Sequence, residues 1–141
     1  MTVPAILSPL FAHVLLVFAL GVLLAVRRSA AVRSGAVKPG PALVGDKSVW
    51  PKPALLASNA FDNQFQFPVL FYVLTILALV TKKADVLFVF MAWIFVATRF
   101  LHAAIHATTN RMPARFYAFL AGVFVLAAMW IVFVLRIVFS G

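Results

Sequence analysis

Four stretches of this chain are apolar and long enough to cross a membrane, which constrains the fold more than any other feature. A hydrocarbon layer about 30 Å thick takes about 20 helical residues, and the candidates cover residues 4–26, 53–81, 86–108 and 113–139. Within lipid, backbone amides have to be satisfied inside their own segment, so such stretches become helices. With 65% hydrophobic against 11% charged residues, the chain has too little polar side chain to coat a water-soluble surface. The expected fold is an all-α integral membrane protein, a single domain over residues 1–141 built as a four-transmembrane-helix antiparallel bundle. An ordinary soluble enzyme is excluded. The absence of cysteine excludes disulfides, Fe–S clusters, thiolate metal sites and a cysteine nucleophile. Any thiol chemistry here uses a sulfur that another molecule brings.

The 12 Lys and Arg outnumber the 3 acids, none of them Glu, and leave a net charge of +9. The cations flank apolar runs, so the expected partner is a membrane surface and its lipids, not nucleic acid. The segment between the first two spans holds Arg27, Arg28, Arg33, Lys38, Lys47 and Lys52. Arg111 and Arg115 fall at the same end, whereas the opposite loop offers Lys82 and Lys83, offset by Asp85. This asymmetry predicts a multi-pass topology with the long loop, residues 29–52, in the cytoplasm and both termini on the other side. The first span lacks Lys and Arg ahead of its apolar run and ends in Arg27 and Arg28. That polarity is the reverse of a cleaved secretion signal, so a retained helix is expected. The loop itself is rich in Gly and Pro, shows no periodicity, and exceeds the usual helix connection in length.

Two spans carry polar residues that a lipid-facing helix would not. Asn59, Asp62, Asn63 and Gln66 fall at i, i+3, i+4 and i+7, and Arg99, His102 and His106 at i, i+3 and i+7, so each set forms a stripe on one helix face. A charge near the bilayer centre costs at least ~2.5 kcal/mol, so the stripes should face protein or water. Counted at about 1.5 Å per residue from Pro53, residues 59–66 lie roughly 9 to 20 Å below the basic surface. His102 and Arg99, on a helix of opposite direction, lie roughly 9 and 14 Å below it, with His106 near the mouth. The common height predicts a polar cleft open at the basic end, with Asp62 and Arg99 paired across it. Polar residues of this kind also serve as hydrogen-bonding contacts between packed helices, but two packed helices need fewer than these.

His13, alone in the first span, reads as an interhelical hydrogen-bonding residue. Its depth differs from that of His102 by roughly 12 Å, too much for two ligands of one haem iron. His102 and His106 have the i, i+4 spacing of metal ligands, yet no carboxylate shares their face and no HExxH pattern is present, so no metal is expected. Pro68 should kink the second helix and free a carbonyl near Gln64 or Phe65.

The run from Asn59 to Tyr72, with its polar stripe followed by Pro68, and the run from Arg99 to His106 resemble the MAPEG family, the membrane-associated proteins of eicosanoid and glutathione metabolism. The resemblance spans nearly the whole chain. It implies a homotrimer in which polar groups of helix two, an Arg, an Asn four residues on and a Glu three further, hold glutathione between subunits. Asn63 matches the Asn, Asn59 stands in place of the Arg, and Gln66 in place of the Glu. Arg99, His102 and His106 look like the helix-three set. Arg115 looks like the helix-four Arg that stabilises the glutathione thiolate, and Arg27 and Arg28 resemble a paired Arg that ends helix one.

Glutathione carries two carboxylates and an ammonium, so Asn59 and Gln66 each remove one complementary charge, and Asp62 is the acid left to replace the Glu. The resemblance thus implies a glutathione-dependent transferase or peroxidase for lipophilic electrophiles. Arg115 would be catalytic, and Asn59, Asp62, Asn63, Gln66, Arg99, His102, His106, Arg27 and Arg28 would surround the cofactor. A non-catalytic member of the same fold, binding a lipid headgroup or an acidic metabolite, is the alternative. A proton-coupled exporter would need Asp62 as its coupling group, since the chain has no Glu.

Overall fold

A computed structural model describes residues 1–139, and among them all regular structure is helical. Helix α1 covers Val3–Arg33, the short α2 Pro39–Leu43, α3 Lys52–Asn63, α4 Phe67–Val80, α5 Val86–Ala107 and α6 Met112–Phe139. Four spans are long and apolar enough to cross a membrane: α1, the pair α3 and α4 together, α5 and α6. The expected architecture, an integral multi-pass four-helix protein, is what the chain forms.

Helix α1 continues past Val26, the end expected from hydropathy, to Arg33. Nothing in the stretch from Arg27 to Arg33 breaks a helix, because Arg and Ala are strong helix formers and polarity does not stop one. The stop is Ser34-Gly35: Gly35 adopts φ +74, its N–H bonds to Val32 O, and the Ala36 N–H bonds to Ala31 O. These two bonds form a Schellman motif, which needs a left-handed residue where Gly35 stands. The region expected as a featureless loop over 29–52 therefore includes the last turn of α1. It also holds α2 and a 3₁₀ turn at Lys47–Val49, whose first amides are capped by Asp46 through Ser48 N at 2.9 Å.

The second span breaks outright where a kink is expected. Helix α3 ends at Asn63 and α4 starts at Phe67, with Pro68 in its first turn. A continuous helix would drive the Pro68 ring against the carbonyl of Gln64 and leave that carbonyl without a donor. The fold instead turns at residues 64–66. The buried Gln64 side chain bonds back to Ala60 O at 3.0 Å and meets His13 Nε2 at 3.1 Å through Oε1. Because Oε1 can only accept, Nε2 donates, and His13 Nδ1 accepts from the Tyr72 hydroxyl at 2.5 Å. His13 is thus a fully partnered interhelical residue, and it ties α1 to both sides of the break.

Helix α5 is central, packed against α6, α1 and α3. Its inner face joins Phe71 and Leu74 of α4 and Leu126 and Met129 of α6 in the main core. A smaller cluster near the basic end joins Leu16, Leu20, Ala60, Ala103 and Ala107. Leu15, Phe18, Ile76, Phe90, Phe124 and Ile131 point outward, as a lipid-facing surface requires. At the end remote from the basic residues, Asp85 caps α5 through Phe88 N at 2.9 Å and pairs with Arg136 of α6 at 2.7 Å.

Candidate functional site

The first turn of α6 carries Arg115, whose position is set by the tight turn before it. Asn110 adopts φ +50, a left-handed conformation that Asn tolerates better than most residues. Its N–H closes the end of α5 on Ile105 O at 2.7 Å. Its side-chain Oδ1 accepts from Arg115 Nη1 at 2.5 Å, while Nη2 of the same guanidinium lies 2.8 Å from the Met112 sulfur. The cation is held at the N-terminal end of a long helix, where unpaired amides and the helix dipole also favour negative charge.

Arg115 borders a cavity of about 180 Å³ between α3, α5 and α6, lined also by Asn63, His102, His106, Met112, Phe116 and Phe119. A more open recess of about 390 Å³ shares Asn63, His106 and Arg115 and adds Lys47, Asn59, Asp62 and Gln66. The two stripes, from α3 and α5, therefore meet at one end of the bundle. Three polar atoms there are buried without a partner: Asn63 Oδ1, His102 Nδ1 and His106 Nδ1. Buried polar groups are nearly always paired in native proteins, so these three atoms carry an unmet desolvation cost; each is itself enclosed, and a guest reaches one only if its side chain turns. The imidazoles of His102 and His106 stand edge to face at 5.4 Å. No metal-binding cluster exists among the described residues.

One expected pairing needs correction, and three of the expected ligand residues lie away from this cavity within the single chain. Asp62 does not pair with Arg99; it forms an ion pair with Lys47 at the rim, both side chains half exposed. Arg99 lies on the side of α5 that faces α6, where its Nη2 donates to Phe119 O at 3.3 Å, and it does not line the cavity. Arg27 and Arg28 do not reach the cavity either. Arg27 Nη1 donates to Pro53 O at 3.0 Å and Ala107 O at 2.8 Å, and Arg28 donates to Ser58 Oγ at 3.3 Å with its guanidinium over Trp50. Arg27 ties α1 to α3 and α5 and Arg28 ties it to α3, because α1 continues as helix through both.

Sequence reasoning misses Asn110, Met112, Phe119 and Gln64 as positioning residues. Two had a readable signal: Asn110 stands where a helix terminates just before Arg-Met-Pro, and the lone His13 required a polar partner at its own depth.

A model of the MAPEG family matches residues 6–135. The chain belongs to the MAPEG family. No curated protein and no solved structure matches it. MAPEG members include glutathione transferases, peroxidases and non-catalytic proteins, so membership leaves the activity of this one to its site. This MAPEG protein has an Asn, two His and an Arg around the cavity, and the amides of Asn59 and Gln66 in the adjoining recess.

Proposed function

We propose that this MAPEG protein binds glutathione in the cavity between α3, α5 and α6 and uses it as a transferase or peroxidase on lipophilic electrophiles arriving from the bilayer. The observation that carries the reading is the cavity that Arg115 borders together with Asn63, His102 and His106.

The fit is best for the anionic parts of glutathione. Arg115 and Lys47 supply charge, and the amides of Asn63, Asn59 and Gln66 supply hydrogen bonds. The ammonium has Asp62 as its partner, once Lys47 moves off it. Glutathione supplies the nucleophilic sulfur that a chain without cysteine lacks. Arg115 holds a cation where the sulfur loses its proton, and a neighbouring cation lowers a thiol's pKa. His102, His106 and Asn63 orient the tripeptide, and the apolar rings of Phe116 and Phe119 form the wall that an electrophile reaches from lipid. In this reading the protein is a homotrimer, as MAPEG proteins generally are, and its basic end faces the cytoplasm. Arg27 and Arg28 then act as fasteners of α1 and not as ligands within their own chain.

The alternative, a non-catalytic binder of an acidic metabolite or lipid headgroup, is favoured by one feature: the Lys47–Asp62 pair occupies the acid that an ammonium would need. Titration calorimetry of glutathione into the detergent-solubilised protein, with a chlorodinitrobenzene conjugation assay, tests the first reading. Binding with turnover that Arg115→Ala removes while affinity holds supports it. Absence of binding at millimolar glutathione overturns it.

A further inference from the structure

The break in the second span presents Asn63, at the end of α3, and Gln66, at the start of α4, to the open recess, with Gln64 between them. The backbone alone holds that turn lightly. Its bonds run from Gln64 N to Phe61 O, Phe65 N to Asp62 O and Gln66 N to Asn63 O, lengthening from 3.0 to 3.1 to 3.4 Å. Pro68 has no N–H, so it cannot donate the helical bond that would tie the Gln64 carbonyl to the next turn. The Gln64 side chain, at 0% exposure, anchors the turn instead, donating to Ala60 O at 3.0 Å and accepting from His13 Nε2 at 3.1 Å. His13 is equally enclosed, and the Tyr72 hydroxyl donates to its Nδ1, which leaves the ring hydrogen on Nε2, facing Gln64.

We propose that His13 is a positioning residue for the recess: by holding Gln64 from α1, it fixes the turn that aims Asn63 and Gln66 at the ligand. Without that donor, Gln64 Oε1 is a buried acceptor with nothing to accept from, and the amide is stabilised by moving toward water. The turn is the part of the second span that can follow it, because α3 and α4 are each held by their own hydrogen-bond ladder. Asn63 Nδ2 lies 3.4 Å from Gln66 Oε1, so a shift of the turn separates groups that face the recess together. The expected effect on glutathione rests on the function proposed above; the effect on the turn does not.

The test compares three variants of the full-length solubilised protein. His13→Leu deletes the donor to Gln64. His13→Gln restores one, since the glutamine amide nitrogen stands as many bonds from Cα as Nε2 does. Tyr72→Phe removes the other bond of the same imidazole and leaves the Gln64 contact in place. Amide hydrogen exchange, read by mass spectrometry on peptides covering residues 62–68, should be several-fold faster in His13→Leu and close to wild type in the other two. Calorimetry should show glutathione bound about 10-fold more weakly by His13→Leu alone. Equal acceleration in His13→Leu and Tyr72→Phe, unchanged exchange in His13→Leu, or a loosened turn with unaltered glutathione affinity overturns the proposal. Should the wild type bind no glutathione, the function proposed above fails, and the exchange pattern alone decides the role of His13. If His13→Leu does not fold, Gln64→Met, which deletes the acceptor, takes its place with the same expectations.

Discussion

The Asn110 carboxamide holds the Arg115 guanidinium at 2.5 Å, so the residue that ends α5 also aims the cation at the start of α6. One residue combines a left-handed backbone, a helix-terminating N–H and a side-chain acceptor. Asn110→Gly keeps the backbone conformation and deletes the acceptor. The expected result is a drop of about 10-fold in the kcat/KM for glutathione conjugation, the equivalent of one charge-assisted hydrogen bond of ~1.5 kcal/mol, with the unfolding midpoint nearly unchanged. Steady-state kinetics alongside a melting curve separates the two effects.

His102 and His106 each bury a ring nitrogen without a partner. Such a nitrogen costs stability in the folded protein. His102→Leu is therefore expected to leave stability unchanged or raise it by up to about 1 kcal/mol, and to weaken glutathione affinity by about 10-fold. Chemical unfolding and calorimetry on the same preparation check both halves; a loss of stability together with unaltered affinity would make His102 a packing residue only.

The Lys47–Asp62 pair is half exposed on both sides and so contributes no more than about 1 kcal/mol to folding. Asp62→Asn releases Lys47 toward the recess it shares with Arg115. Acidic ligands that lack an ammonium should bind several-fold more tightly to this variant. Glutathione should gain less or lose affinity, because its ammonium loses the one nearby acid. Competition binding with a simple dicarboxylate and with glutathione reads the difference.

Lys82 adopts φ +57 at the end of α4, where its N–H bonds to Leu79 O and the Lys83 N–H bonds to Ala78 O. The same two bonds end α1, but there the left-handed residue is Gly35. Lys82→Gly removes the Cβ penalty and is expected to stabilise the protein by about 1 kcal/mol, less a few tenths for the entropy that glycine adds to the unfolded chain. Unfolding in mixed detergent micelles measures it.

Arg136 hydrogen-bonds Asp85 and holds its carboxyl below the usual carboxylate range. A carboxyl depressed in the folded state adds stability above its unfolded pKa of about 3.9, and that stability disappears as pH falls through the lower folded value. Acid unfolding of the wild type should thus show a component in this window that Asp85→Asn lacks.

Much of the architecture is legible in the sequence because span length and helical periodicity are local properties. Asn59, Asp62 and Asn63 share one face of α3 and His102 and His106 one face of α5, so they converge; Gln66 joins them from the turn after α3. Common height, however, says nothing about direction around a helix axis. Arg99 shares the register of His102 but is rotated toward α6, and the space it fills exists because residue 122 is Gly. A glycine inside an apolar helix was the available sign of that close approach. Helix α1 runs beyond its apolar span for a different reason: hydropathy marks where lipid ends, whereas a helix ends at its Gly35 stop signal. The Lys47–Asp62 pair depends on how a loop folds back, which no periodicity encodes.

In the proposed reaction the cavity under Arg115 holds a sulfur in ionised form. Ultraviolet difference absorbance at neutral pH reads that directly, because a thiolate absorbs where a thiol does not. Saturating glutathione should produce the thiolate band with the wild-type protein and lose it with Arg115→Ala; a wild-type protein that binds glutathione with no thiolate band would contradict the account.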